Sequence, residues 1–351
     1  MTVRMTSERI PGVQAERPHV SIIVVSYNTC AETLACLASL KAQTSGFDHE
    51  VIVIDNASPD GSAAAIRRQH TQVRLIDSEE NLGFARANNV AAQEATSDLI
   101  LLLNPDTIIL DRAIERLVAF AQANPAAQIW GSRTLFADGR LDPTGCFARM
   151  TPWSLLCRAT GLSNAFPRSA FFNGEAYAGW QRDTVRAIDI IAGCYLLITR
   201  ELWTRLGGFD PVFFMYGEEA DLCLRAAALG ARPLHTPDAP IIHLGGASEK
   251  TRAGKMVKLL AAKATLVDRY FSRPARPLGH ACLAFWPWSR MLATRLRMRF
   301  APTPALAEEA TAWREIWARR ADWRHGFSHV DTGSAFRPLV LPLPAIGERV
   351  G

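Results

Sequence analysis

The sequence contains no CxxC pair. Its seven cysteines (Cys30, Cys36, Cys146, Cys157, Cys194, Cys223 and Cys282) are scattered and odd in number. That excludes a disulfide framework and a cysteine zinc site, and predicts reduced, mostly buried thiols in a cytoplasmic protein. Long apolar runs are also missing. The nearest approach to a membrane span, residues 281–289, is short and interrupted by Pro287. The first eighteen residues hold no apolar stretch of the signal-peptide kind and, with Pro11 and Pro18, read as a loose leader. No GxGxxG follows the first apolar run, so a dinucleotide dehydrogenase would lack its fingerprint, and GxxxxGK[ST] is absent, which argues against a P-loop enzyme. No internal repeat is found.

What is present describes an ordinary globular chain. Its 351 residues, 48% hydrophobic and 21% charged, suffice for one large domain or one domain with an appendage. The formal charge of +5 is uneven. Residues 249–300 carry twelve Lys or Arg against Glu249 and Asp268, a local +10 that leaves the remainder at −5. A basic segment on an acidic body points to an anionic partner, a lipid surface or a nucleic acid. No recognised nucleic-acid-binding module accompanies the charge, which disfavours the second.

The N-terminal half alternates strands and helices, as βαβ units of an α/β parallel sheet do. Strands are predicted over Val20–Ser26, Glu50–Ile54, Val73–Ile76 and Asp98–Leu103. Helices are predicted over 31–43, 61–69, 83–95 and 112–123, the last capped by Asp111. After residue 130 the rhythm changes. Asp138-Gly139 predicts a hairpin turn, and 142–184, rich in Gly, Pro and aromatics, reads as irregular. Ile188–Ile198 reads as a strand; helices are expected over 201–206, 218–229, 252–270 and 304–323.

Four polar clusters end predicted strands: Ser26-Tyr27-Asn28, Asp55-Asn56, Asn81 with the segment after it, and Asn104-Pro105-Asp106. Open parallel sheets bind ligands at these strand ends. A strand-end Asp can accept the N3–H of uracil or thymine, Tyr27 can cover the base, and Arg86 can reach a phosphate. Singly each cluster reads equally well as a turn; four in register make that reading insufficient. Asp106 is a candidate ligand for Mg²⁺ or Mn²⁺ bridging a diphosphate, and His243, ending an apolar run before Gly245-Gly246, is a candidate second ligand. Glu218, Glu219 and Asp221 crowd the start of a helix behind the aromatic FFMY. Acids also suit a helix N-terminus on electrostatic grounds, and Asp221 can simply pair with Arg225. That accounts poorly for adjacent Glu218 and Glu219 after Gly217, which suit a general base.

These blocks (VSIIVVSYN, VIVIDNASPDGS, ENLGFARANN, LLLNPDT, AGCYLLITRELWTRLGGFDPVFFMYGEEADLCLR and IIHLGGAS) resemble the family 2 glycosyltransferases of the GT-A fold, particularly the rhamnosyltransferase-like group. The resemblance runs over roughly residues 19–250. It implies a Rossmann-like, mostly parallel central sheet flanked by helices. It further implies inverting transfer of a sugar, rhamnose from dTDP-rhamnose first, from a nucleotide diphosphate donor to a hydroxyl of a lipid-linked saccharide in cell-surface polysaccharide synthesis. Under it Tyr27, Asn28, Asp55, Asn56, Asn81, Arg86, Asn104 and Asp221 fall at donor- or substrate-binding positions. Asp106 matches the last acid of a DxD-type metal motif whose first position is here Asn104. Glu219 occupies the usual base position, with Glu218 as alternative.

The implied division is a leader (1–18), a GT-A domain (19–250, with a nucleotide half 19–136 and an acceptor half 137–250), a basic helical appendage (251–327) and an extended tail (328–351). Trp286 and Trp288 among the arginines of 279–299 suit either a packed helix or a segment resting on anionic lipid at the inner face of a bacterial membrane. A galactofuranosyl- or other hexosyltransferase is the nearest rival. A sugar-nucleotide nucleotidyltransferase would need a glycine-rich basic loop where SYNTCAE stands; a non-catalytic nucleotide-sugar binder would not need both Asp106 and Glu219. All these readings require Asp106, Glu219 and His243 to meet around one cavity.

Overall fold

The β-branched run Val20–Ser26 forms β1, and all seven of its residues are buried, as a central parallel strand covered on both faces requires. It pairs in parallel with β2 (His49–Asp55) on one side and, after β3 (Arg74–Asp77) has extended that edge, with β4 (Leu99–Leu103) on the other. Helices α1 (Cys30–Gln43), α2 (Ser62–Gln69) and α3 (Gly83–Gln93) are the crossovers. The computed structural model describes residues 19–245 and 251–327; the leader, Gly246 and the tail lie outside the described residues.

Beyond β4 the sheet becomes mixed. The chain continues through β5 (Thr107–Ile109), α4 (Ala113–Ala123), β6 (Ile129–Leu135), β7 (Leu141–Asp142), β8 (Cys146–Phe147), α5 (Pro152–Thr160) and α6 (Leu162–Ala165). Then come β9 (Arg186–Ala187), β10 (Ile190–Ile191), β11 (Tyr195–Thr199), α7 (Arg200–Leu206), α8 (Glu218–Ala228) and β12 (Leu234–His243). The ten-stranded sheet runs β3-β2-β1-β4-β11-β6-β12-β5, with β7 on β6 and β9 on β12; β10 and β8 form a separate pair. Two cores lie on its two faces, one under α3, α7 and α8 and the other under α1 and α4.

Four local expectations are corrected. Asp111 does not cap α4: Arg112, in the left-handed region at φ 55°, occupies the cap position, and the Asp111 carboxylate instead pairs with Arg116 at 2.6 Å. The segment 142–184 is not wholly irregular. Thr151 and Ser154 make a reciprocal capping box and Pro152 takes the first helical position, so α5 starts sharply inside it. Ile188–Ile198 is two strands in different sheets, β10 and β11, because the chain turns at Ala192-Gly193-Cys194. Finally, Pro287 does not interrupt its segment but sits buried inside a continuous 25-residue helix.

That helix is α10 (Arg276–Phe300), packed with α9 (Arg252–Tyr270), α11 (Pro304–Ala318) and α12 (Arg320–Trp323). Together with α5 they enclose a third core containing Leu155, Leu260, Leu283, Trp313, Ile316 and Trp323. The C-terminal region is therefore joined to the body that carries the sheet through α5. Among the described residues no helix is long and apolar enough to cross a membrane. All seven cysteines are free thiols, six of them buried.

Candidate functional site

The pairing of β5 with β12 decides where His243 stands. Their antiparallel register sets His243 opposite Thr107, and the Leu244 N–H donates to the Asp106 carbonyl at 2.9 Å. The His243 Nε2 atom consequently lies 3.5 Å from Asp106 Oδ1 and 3.5 Å from the Asn104 side-chain amide. Its other nitrogen, Nδ1, lies 3.5 Å from Asp142 Oδ2. Burial alone would lower the imidazole pKa, but hydrogen bonding and charge from Asp106 and Asp142 outweigh it and raise His243 to about 9. Asp142, at the end of the β6–β7 hairpin, escaped sequence reading because one Asp before Pro143 resembles any other turn. Its Oδ1 also accepts from the Thr144 N–H and hydroxyl; burial would raise the carboxyl, but His243 first and then these Thr144 bonds hold it below the usual range.

The carboxylates at the start of α8 reach the same space from the other side. The loop before them is anchored from beneath. The Asn89 amide pairs with both backbone groups of Phe209, and the Phe84 N–H donates to the Phe214 carbonyl at 2.8 Å. Gly83 makes this approach possible: at φ +75° a Cβ there would stand 2.5 Å from the Phe214 carbonyl oxygen. Arg225 adds hydrogen bonds to the Leu206 and Gly208 carbonyls. Gly217, also left-handed, then turns the chain into α8.

Asp106, Glu219 and His243 all line one cavity of about 470 Å³. Tyr27, Asn56, Asn81, Asn104 and Glu218 are also in its walls, and α9 closes one side with Lys255, Lys263 and Tyr270. The two glutamates differ. Glu218 is buried with Oε2 lacking a partner among the described residues, and burial with the neighbouring Glu219 charge raises its pKa well above the ordinary value. Glu219 is half-buried; burial raises its pKa too, while Lys263 opposes the rise. Both carboxyls are thereby shifted towards the neutral form, Glu218 more strongly than Glu219.

Other expected residues stand differently. Asn56 and Asn81 reach the wall, but the Asn56 amide donates to Asn81 Oδ1 and accepts from Leu82 N–H, and Asn81 Oδ1 accepts from Gly83 N–H; they brace the turn before α3. Asp55 is 1% exposed; Oδ2 accepts from Ser58 N–H and Oδ1 has no partner among the described residues. Asn28 sits at φ 55° with its N–H on Ser58 Oγ, and Arg86 is exposed on α3; neither they nor Asp55 line the cavity. Asp221 is corrected outright. It is fully buried, bonded to Arg225 at 2.7 Å, Arg269 at 2.8 Å and the Tyr270 hydroxyl at 2.6 Å, and has no face open to a substrate.

Sequence reading also missed the far end of the cavity. There Glu175 accepts from Lys263 Nζ at 2.8 Å, with Arg158 Nε 3.7 Å away, and burial of this carboxyl is outweighed by the two cations, which lower its pKa. Nothing in isolated Arg158, Glu175 or Lys263 signals this meeting, since the three come from separate elements.

A divalent ion is compatible with this donor set, though not as a ready-made cage. Among the described residues no group of three or more His, Cys, Asp or Glu is arranged to hold a metal. Asp106 and His243 supply two donors facing one cavity, and Mg²⁺ or Mn²⁺ commonly takes one or two protein ligands, completing its shell with phosphate oxygens and water. A metal cation here would compete with protonation of His243, whose Nε2 faces Asp106, because a ligating imidazole nitrogen must be unprotonated.

Comparison with known proteins bears on the fold and the family. The model of Glycosyl transferase family 2 matches residues 21–185. The O-antigen biosynthesis protein RfbC of Myxococcus xanthus is 29% identical over 239 residues, 67% of this chain and 18% of that protein. The N-acetylglucosaminyl-diphospho-decaprenol L-rhamnosyltransferase of Mycobacterium tuberculosis is 27% identical over 235 residues, 63% of this chain and 75% of that protein. Among solved structures, the mannosyltransferase PcManGT of Pyrobaculum calidifontis, in complex with GDP-Man and Mn²⁺, shares the fold with a TM-score of 0.51 at 21% identity, covering 88% of this chain and 86% of that one. Residues 21–185 thus match glycosyl transferase family 2, and the sequence blocks and sheet order agree with that match.

Proposed function

We propose that the protein transfers a sugar, rhamnose from dTDP-rhamnose foremost, from a nucleotide diphosphate donor to a hydroxyl of a lipid-linked saccharide, with inversion at the anomeric carbon. The observation that carries the reading is the single cavity shared by Asp106, His243 and Glu219. The nucleotide lies along the ends of β1 and β2, with Tyr27 against the base. Asp106 and His243 would hold a divalent ion, which when bound would neutralise the diphosphate as a leaving group. Glu219 accepts the proton of the acceptor hydroxyl as that oxygen attacks the sugar, since it is the more open of the two glutamates and the one whose ionisation is less strongly disfavoured. Burial and the neighbouring Glu219 charge disfavour the ionised form of Glu218, which suits it better to donating a hydrogen bond than to taking a proton.

The choice of rhamnose and of a lipid-linked acceptor is supported by likeness to the mycobacterial enzyme, whose name states both. A role in cell-surface polysaccharide synthesis follows the same likeness and that to the O-antigen protein. A thermal-shift screen of nucleotide sugars, with Mn²⁺ or Mg²⁺ and with chelator, tests the donor. The expected result is the largest stabilisation by dTDP-rhamnose, metal-dependent, and lost in Asp106→Ala. Equal stabilisation by every nucleotide sugar with chelator present would defeat both the donor and the metal assignments.

A further inference from the structure

Helix α10 has two apolar stripes. Gly279, Cys282, Leu283, Trp286 and Pro287 are buried against α5, α9 and α11. The second stripe, Leu278, Ala281, Phe285, Trp288, Leu292 and Leu296, recurs every three or four residues and faces water. Its five large side chains are 40–49% exposed. One stripe is enough to seat a helix on a core; a second, continuous one calls for a second apolar neighbour. Phe285 and Trp288 lie with ring centroids 5.5 Å apart, so the aromatic part of the stripe forms a contiguous patch.

Along the helix itself the charge has one sign, and Asp268 of α9 pairs with its His280 at 2.7 Å. No Asp or Glu occurs between Arg276 and Phe300, and Arg295, Arg297 and Arg299 are exposed where the stripe ends. Helix α5 is tied alongside: Arg290 Nη2 donates to the Arg158 carbonyl and Ser289 Oγ to the Ala159 carbonyl, each at 3.2 Å. The segment from α5 onward exposes Trp153, Phe166 and Phe171, the last by 65%, with Trp153 and Phe171 rings 4.9 Å apart.

We propose that this face of α10 rests on an anionic lipid surface, with the Phe, Trp and Leu side chains at the headgroup–acyl boundary and the arginines on the headgroups. Tryptophan with arginine, and no acidic residue between them, matches a surface that is negative outside and apolar beneath. A protein partner would have to supply both properties itself. The cavity lies behind the same helices: Trp286 of α10 and Arg158 of α5 line it. One helix diameter, about 10 Å, separates the outer stripe from that wall, so a saccharide anchored in the membrane is presented beside the site. The purpose of docking rests on the lipid-linked acceptor proposed above; docking itself does not.

The test is flotation of the full chain, without donor or acceptor, on phosphatidylglycerol–phosphatidylcholine vesicles and on phosphatidylcholine alone. Flotation is expected only with the anionic lipid, weakening as salt rises. The triple change Phe285→Ser, Trp288→Ser and Leu292→Ser, all at exposed positions, should lower partitioning at least about tenfold, as should Arg295→Ala with Arg297→Ala and Arg299→Ala. Circular dichroism and unchanged donor binding verify that the variants fold. Glu219→Gln should float like the unaltered chain, so a failure of the transferase reading would leave flotation intact. Absence of flotation, flotation indifferent to both sets of changes, or a stripe-dependent dimer or protein complex without lipid binding would each overturn the proposal.

Discussion

Removing the Asp221 carboxylate is expected to unfold the protein more readily, and to act on the site only through the helices it fastens. Asp221 is the shared acceptor of Arg225, Arg269 and Tyr270, at distances of 2.6–2.8 Å. In Asp221→Ala, Arg225 keeps the Leu206 and Gly208 carbonyls, and Arg269 keeps Asp210. The buried Arg225 guanidinium loses its counter-charge, and loss of one partner from a buried ion pair costs about 3–5 kcal/mol. Set against a total stability of about 5–15 kcal/mol, this should lower the melting temperature by on the order of 10 °C. Asp221→Asn should lower it less, because the amide oxygen can still accept one of the three bonds. The assay is thermal denaturation in parallel with calorimetric donor binding below the transition. A folded Asp221→Ala protein with unaltered melting but weakened donor binding would refute the reasoning and return Asp221 to the substrate.

Glu219→Gln should reduce single-turnover transfer by about 10²–10⁴-fold while calorimetric donor affinity stays unchanged; Glu218→Gln should cost far less, since burial already disfavours its charge, and a reversed order would exchange their roles. Because Glu219 must be ionised to accept a proton and its pKa is raised, the rate should fall on acidification from a higher pH than an ordinary glutamate would give, a limb missing from any residual activity of Glu219→Gln. Asp142→Asn should weaken Mn²⁺ binding, followed by Mn²⁺ electron paramagnetic resonance, by about 10–100-fold, because Asp142 orients His243; unaltered affinity would leave Asp142 as a turn residue only. Gly83→Ala should destabilise by about 1–3 kcal/mol in chemical denaturation, through its left-handed φ and the Phe214 carbonyl in its path, and native-like stability would show that the 209–217 loop can retreat.

The first half of the fold was legible because periodicity there is strong and local. VSIIVVS and LILLL can be little else than buried strands, and their polar ends mark where ligands gather. Legibility failed where the deciding interaction was distant. Arg112 rather than Asp111 takes the cap position because Arg116, one turn on, captures the Asp111 carboxylate. The apolar run Ile188–Ile198 divides because β8 claims one end and β4 with β6 the other. Helix α5 was missed although Thr151-Pro152 followed by Ser154 is a legible start signal, obscured by the aromatics and glycines around it.

The site divides along the same line. Asp106, His243 and Glu219 announced themselves because each follows a strand end or a glycine turn in the chain. Asp142, Glu175, Lys263 and Arg158 did not, because their chemistry arises only from meeting one another. Asp221 shows the reverse error. Its place beside two candidate bases suggested function, yet a helix turns about 100° per residue, so neighbours in sequence need not face the same way. Glu219 points to the cavity while Asp221, two positions on, points into the core, where Arg225 and Arg269 receive it. Arg269 belongs to α9, so the ion pair that buries Asp221 also fastens the C-terminal helices to the start of α8. The wall contributed by Lys255, Lys263 and Tyr270 and the placement of Glu219 thus depend on the same buried charges. The network joins the expected appendage to the expected domain, and α9 lines the candidate cavity as the sheet ends do.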